Sequence, residues 1–243
     1  MVAIRLDRPT LRQRLREPYR AARALGFRER WRRSPRWKGF GEPFNGQSAR
    51  RRTVDVLCRA FSPDACIETG TFFGFTARYL ATYGVPVYTV ELNTAFYHLS
   101  KLYLRDLADV TLMCGDSAAA VRLLATRPGI TRPLVYLDAH WGELPLHAEL
   151  DSVFANWRDA LVAIDDFCVP HEPGYAYDIY DGTPLSLEQL EIADGTTIAY
   201  PATRPTEETG LRRGAVYLGR GADAEAAIEL AAGEGLLTLH SAG

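Results

Sequence analysis

From residue 53 onward, short apolar runs alternate with stretches of helical periodicity. The runs occupy residues 65–69, 86–92, 110–114, 134–137 and 161–164. Between them, residues 76–82, 94–106, 117–125 and 145–157 mix apolar and polar positions at helical spacing. Short runs with little polar interruption match strands covered on both faces, and strands separated by helices return parallel to one another. The pattern predicts an α/β fold: a doubly wound, mostly parallel sheet with helices on both faces. In the tail it predicts a helix near 185–193, strands at 196–200 and 215–218, and an Ala-rich helix at 222–232. No internal repeat is visible.

The first 52 residues read as a basic extension ahead of a domain spanning 53–243. Leu11, Leu15 and Tyr19 recur at four-residue spacing in a dense Arg background, which predicts an amphipathic basic helix. Trp31, Trp37 and Phe40 follow among Arg and Gly in an irregular, lid-like segment. Residues 1–52 carry 16 Arg/Lys against 4 Asp/Glu, and the remainder 12 against 26, so a net charge of −2 hides a basic arm beside an acidic body. Opposite charge favours packing of the arm on the body or on a second subunit. Covering a substrate cleft, or touching nucleic acid or a membrane, are the competing uses. Self-association through this segment stays open.

A length of 243 residues suits one large domain, and a 47% hydrophobic share excludes a disordered chain. No apolar run approaches the ~18–20 residues of a membrane span. Cys58, Cys66, Cys114 and Cys168 form no C-x-x-C pair and read as reduced core thiols. The N-terminus lacks an apolar signal core. Its Arg content resembles a transit peptide, yet Arg and Ala are abundant throughout, so the expected location is the cytoplasm.

Candidate chemistry begins where the first strand ends. Glu68-Thr69-Gly70-Thr71-Phe72-Phe73-Gly74 forms a strand-to-helix turn whose glycines permit positive φ and close approach of a ligand. The spacing is neither G-x-G-x-x-G nor a P-loop, which disfavours a nicotinamide oxidoreductase and a nucleotide triphosphate site. A plain tight turn is the alternative. Glu91 ends the second strand, 21 residues after Gly70, where a carboxylate can accept both hydroxyls of a ribose. Asp116-Ser117 follows the third strand, placed to receive an adenine amino group.

With Glu68, Gly70, Thr71, Gly74, Glu91, Asp116 and Ser117 in register, the chain resembles the class I S-adenosylmethionine-dependent methyltransferases over roughly residues 53–220. The resemblance implies a Rossmann-like methyltransferase sheet with a reversed last strand. It also implies S-adenosyl-L-methionine as cofactor, bound by those seven residues. A sulfonium donor has no phosphates to cradle, so acids rather than a basic nest suit it.

Asp138 follows the fourth strand, and Asp165-Asp166 ends the fifth. Parallel neighbours ~4.8 Å apart bring these three carboxylates to one rim, where they repel unless a cation neutralises them. An all-oxygen cluster selects a hard divalent metal, Mg²⁺ first, with Mn²⁺ or Ca²⁺ as alternatives. The competing reading makes Asp166 a turn cap and Asp165 a cofactor or backbone contact. Asp138, Asp165 and Asp166 also resemble the ligands of metal-dependent O-methyltransferases, more the antibiotic-sugar branch than the catechol type. That resemblance implies Asp138 in catalysis and a hydroxylated small molecule, such as a sugar or glycosylated natural product, as acceptor.

His140, two residues beyond Asp138, is suited to take the hydroxyl proton at neutral pH, with a metal ligand or a surface histidine as alternatives. Tyr175, Tyr177 and Tyr180 suggest either a substrate wall or ordinary loop packing. Residues 44–47 offer a lid over the cofactor. Two other classes compete with the small-molecule enzyme. One is a nucleic-acid methyltransferase using the Arg-rich arm, disfavoured by the acidic body and by the missing N/D-P-P-[YF] tetrapeptide. The other is a non-catalytic binding module on the same fold.

Overall fold

The computed structural model describes residues 41–140, 144–170 and 172–240. The proposed basic helix around Leu11 and the aromatic residues Trp31, Trp37 and Phe40 lie outside the described residues.

Five strands, β1 (Ala65–Thr69), β2 (Val87–Glu91), β3 (Val110–Cys114), β4 (Pro133–Leu137) and β5 (Ala160–Asp165), pair in parallel, as the apolar runs predict. β8 (Thr197–Pro201), β9 (Ala215–Arg220) and β10 (Leu237–Leu239) extend the sheet to the order β10-β8-β9-β5-β4-β1-β2-β3. β9 runs antiparallel to β5, which supplies the reversed strand, and the short edge strand β10 adds a second reversal that the sequence pattern does not signal. A two-stranded ribbon, β6 (Ile179–Tyr180) with β7 (Thr183–Pro184), stands apart.

Strand alternation divides the core into two layers. Ile67, Val135, Leu137, Val162 and Ile164 face the helices α4 (Ser117–Ala125) and α5 (Leu146–Asn156). Cys66, Leu134, Tyr136, Leu161 and Ala163 face α1 (Ser48–Phe61), α2 (Phe75–Leu80) and α6 (Ala222–Gly233). The remaining helix, α3 (Thr94–Tyr103), opens on Asn93, whose side chain accepts from the N–H groups of Ala95 and Phe96. No helix among the described residues is long and apolar enough to cross a membrane.

Two expectations change. The tail segment around 185–193 holds only a 3-10 turn at Leu187–Gln189. Leu185 N–H donates to the Asp178 carbonyl while Cys168 N–H donates to the Leu185 carbonyl, and these distant pairings hold the chain extended there. Conversely, α1 crosses the boundary drawn at residues 52–53. Val54, Leu57, Cys58 and Phe61 form its buried stripe, and Arg50 continues that stripe one turn earlier. The Glu208 carboxylate caps α1, accepting from the N–H groups of Ala49 (3.0 Å) and Arg50 (3.2 Å).

Arg50 is 3% exposed and paired with Asp165 at the end of β5. Its guanidinium also donates to Tyr136 Oη (3.3 Å) and to the carbonyls of Arg213 and Gly214. Arg50→Ala, which strands a buried carboxylate, is expected to cost about 3–5 kcal/mol in urea denaturation. Combining it with Asp165→Asn should recover part of that loss. Equal losses in the single and double variants would assign the effect to packing instead.

Candidate active site

The parallel strands end on one cavity of about 630 Å³, the size of a cofactor site, at the carboxyl edge of the sheet. Gly70, Glu91, Asp116 and Asp138, each from the tip of a different strand, contribute to its wall. Four of its lining residues are non-glycine residues at positive φ: Phe44 (53°), Asn45 (58°), Phe72 (50°) and Asp166 (55°). Such backbone is costly for ordinary residues and gathers where surrounding structure over-determines it.

The glycine turn places the first group of residues. Gly70 sits at φ +80°, and a Cβ there would lie 2.2 Å from the Asp138 carbonyl oxygen, so only glycine lets the tips of β1 and β4 close on each other. Gly74, at φ +84°, starts α2. Between them, Phe72 N–H donates to Glu91 Oε2 at 2.8 Å, and Asn93 N–H donates to Oε1 at 2.7 Å. Glu91 is thus fixed by both oxygens at the cavity wall, with burial pushing its carboxyl up to about 7. Glu68, 2% exposed, accepts from Thr89, whose hydroxyl also meets that of Thr71. Burial, opposed by Thr89 and reinforced by Glu91, pushes Glu68 up to about 8.

Asp116 caps α4 through Ala119 N–H (2.8 Å) and, with Ser117, lines the cavity. Glu42, Glu68, Glu91, Asp116, Asp138 and Asp166 make the lining strongly acidic, and no Lys or Arg lines it among the described residues. A cation entering this space relieves repulsion and desolvation together.

The three aspartates expected as metal ligands converge, but they do not act alike. Asp165 faces the α1 layer with Leu161 and Ala163 and is absent from the cavity wall. Its Oδ1 takes Arg50 and Asp166 N–H (2.7 Å), and its Oδ2 takes Tyr136 Oη (2.7 Å) and Asn45 Nδ2 (3.0 Å). Burial works to raise its pKa, but Arg50, Tyr136 and the Asp166 amide together hold it below the usual carboxylate range. With both oxygens engaged, Asp165 is the counterion of Arg50 rather than a free ligand.

Asp166 gives one oxygen to Arg213, which also grips Asp178, while burial and Asp165 push its carboxyl up to about 7. Asp138 makes no side-chain hydrogen bond among the described residues and faces the cavity. Burial, followed by Asp165, Asp166 and Glu68, raises its pKa well above normal. His140 is 1% exposed, does not line the cavity, and has neither ring nitrogen hydrogen-bonded among the described residues. Burial lowers its pKa, which favours the neutral ring. Ligand atoms of Asp138, His140 and Asp166 all lie within 4.8 Å of one another. The trio that can hold a cation therefore exchanges Asp165 for His140.

Around this trio, Tyr175 is buried with its hydroxyl on the Thr203 carbonyl (2.8 Å), so it packs the loop rather than facing a substrate. Tyr180 and His140 meet in an edge-to-face arrangement, centroids 6.5 Å apart. Asn45, in the segment expected as a lid, does line the cavity while bonded to Asp165. Arg50, Arg213 and Glu149 are additions that motif reading missed. Arg50 carried a signal in the four-residue spacing to Val54, whereas Arg213 lies in a loop without periodicity. Glu149 on α5 is 0% exposed, and burial pushes it up to about 7. The Ser117 and Thr69 hydroxyls temper that shift without closing a hydrogen bond of ordinary geometry.

Two outcomes follow for these residues. Gly70→Ala is expected to lose roughly 2 kcal/mol or more in chemical denaturation, since both the φ and the Asp138 carbonyl oppose a methyl group. Glu149, raised on folding, ionises at a cost as pH climbs from its unfolded value near 4.5 to about 7. Glu149→Gln should therefore be the more stable protein at pH 8, by up to about 3 kcal/mol, and lose that advantage below pH ~4.5. A constant difference across pH would show that Glu149 is not desolvated.

The sequence matches no protein-family model and no curated protein. Solved structures do match in shape. An O-methyltransferase from Bacillus cereus in complex with S-adenosylhomocysteine superposes with TM-score 0.56 at 14% identity, covering 83% of this chain and 90% of that one. The O-methyltransferase TomG from Streptomyces achromogenes, involved in tomaymycin synthesis and in complex with S-adenosylmethionine, gives 0.54 at 16%, covering 85% and 90%. At such identity the likeness is one of architecture: this chain has the Rossmann-like methyltransferase fold.

Proposed function

We propose that the chain is an S-adenosylmethionine-dependent O-methyltransferase acting on a hydroxyl of a small molecule, assisted by a divalent cation. The observation that carries this reading is the acidic cavity itself. Glu91 is pinned at the end of β2 with both oxygens oriented by backbone N–H groups, where a ribose diol would donate to it. Asp116 and Ser117, after β3, suit the adenine end, and Gly70, Thr71 and Gly74 leave room for the donor's amino-acid portion. Glu68 and its acidic neighbours favour a positively charged sulfonium over a neutral or anionic ligand. The Bacillus and Streptomyces structures, which hold such ligands on the same architecture, support the choice.

In the reaction, an acceptor hydroxyl oxygen attacks the sulfonium methyl in line. The new C–O bond forms as the S–CH₃ bond breaks, sulfur keeps the electron pair, and the hydroxyl proton must leave. We assign it to Asp138, which lines the cavity and whose side chain has no hydrogen-bond partner among the described residues. His140, expected from the sequence to be the base, is buried and does not line that space, so the base is assigned to Asp138 instead. Asp138 and the free oxygen of Asp166 would hold the divalent cation, Mg²⁺ on the sequence argument. When bound, such an ion lowers the pKa of a coordinated hydroxyl. Asp165 keeps Asp166 in place through the backbone and Arg50. The acceptor is read as a hydroxylated metabolite, such as a sugar or glycosylated natural product.

Calorimetry with S-adenosylhomocysteine tests the cofactor assignment. Binding should tighten from pH 6 to pH 8 as Glu91, held at about 7, becomes ionised and accepts the diol. Glu91→Ala should weaken it by about tenfold or more, the order expected when a charged hydrogen-bond partner is removed. Absence of binding heat at millimolar ligand, at either pH, would overturn the assignment.

A further inference from the structure

We propose that His140 completes a mixed nitrogen–oxygen cation site with Asp138 and Asp166, one that prefers a nitrogen-accepting transition ion such as Mn²⁺ to Mg²⁺. The inference deepens the cation-assisted reading above and rests on it.

Metal–ligand bonds of about 2.0–2.2 Å separate two ligands of one ion by at most about 4.4 Å. The Asp138, His140 and Asp166 ligand atoms lie within 4.8 Å of one another, a few tenths of an ångström from closing on an ion.

The second observation is the state of His140. A neutral imidazole has one N–H to donate and one lone pair to fill, and burying both without partners is unfavourable. His140 is 1% exposed with both nitrogens unpartnered among the described residues. Either nitrogen is thus available to a cation held by Asp138 and Asp166.

Elimination and strain supply the rest. Asp165 has no oxygen to offer, since Arg50, Tyr136, Asn45 and the Asp166 amide occupy both. Asp166 is held at φ +55°, with its carbonyl accepting from Asp178 N–H (2.8 Å) and one carboxylate oxygen on Arg213, and its other oxygen is uncommitted. Two carboxylates and one imidazole make a donor set that Mn²⁺, Fe²⁺, Co²⁺ and Zn²⁺ accept, whereas Mg²⁺ favours oxygen alone.

Manganese titration of the full, chelator-treated chain, followed by electron paramagnetic resonance, tests this without reference to catalysis. Mn²⁺ should bind about tenfold or more tightly than Mg²⁺. The bound ion should show ¹⁴N modulation of its spin echo, a signal that a purely structural histidine would not produce. His140→Ala should remove the modulation and weaken Mn²⁺ by about tenfold or more. His140→Asp should restore binding without modulation and narrow the preference over Mg²⁺. Should the alanine variant fail to fold, the wild-type echo decides alone. No Mn²⁺ binding at millimolar concentration, bound Mn²⁺ lacking ¹⁴N modulation, or tighter binding of Mg²⁺ would each overturn the proposal. S-adenosylhomocysteine binding to the same metal-free protein is measured separately, so loss of the cation site and loss of the methyltransferase reading are told apart.

Discussion

A guanidinium buried against a sheet must find all its partners inside the protein, and Arg50 does so by joining parts of the chain that lie far apart in sequence. It reaches from α1 to Asp165 on β5, Tyr136 on β4 and the carbonyls leading into β9. A charge with so many fixed partners tolerates little displacement of any of them. The carboxyl edge of the sheet, where the cavity opens, is therefore held from below by an ion pair. Asn45, bonded to the same carboxylate, ties the segment ahead of α1 into that arrangement.

Charge is distributed around this anchor in two tiers. Beneath the rim, Arg50 satisfies Asp165; beside it, Arg213 bridges Asp166 and Asp178 and so fastens the 166–185 loop to the site. Above the rim, the carboxylates of Glu68, Glu91 and Asp138 face the cavity and are displaced upward by burial. In the lower tier Asp165 has both oxygens taken by Arg50 and its neighbours, whereas Asp166 gives Arg213 only one. The upper acids pair with no Arg or Lys among the described residues, which leaves their charge to a ligand.

Much of this was readable from the residues. Near-continuous apolar runs locate all five parallel strands, and a carboxylate at the end of each of β2 and β4 lands on the cavity because strand tips in a parallel sheet share an edge. Asp165 differs from the other two aspartates for a reason the same strand contains. Successive residues point to opposite faces, so Asp165 follows Leu161 and Ala163 toward α1, while Asp166 leaves the strand through a left-handed residue and turns to the site. That distinction needs α1, whose Arg-rich opening turn reads as part of a basic arm until Val54, Leu57 and Phe61 are seen to continue from Arg50. The segment around 185–193 misled in the opposite sense. The local sequence there is compatible with a helix, but long-range backbone pairing at Leu185 holds the chain extended. Arg213 and Glu149 could not be seen at all, since their significance comes from tertiary neighbours alone.

The acidic wall has a bearing on turnover. On the proposed reaction the donor enters as a sulfonium and departs as a thioether, one positive charge poorer. Glu68, Glu91, Asp116 and Asp138 thus attract the fresh molecule more strongly than the used one, while the hydrogen-bonding partners of both remain the same. Exchange at the end of each cycle then has a downhill electrostatic component built into the walls, with no moving part required.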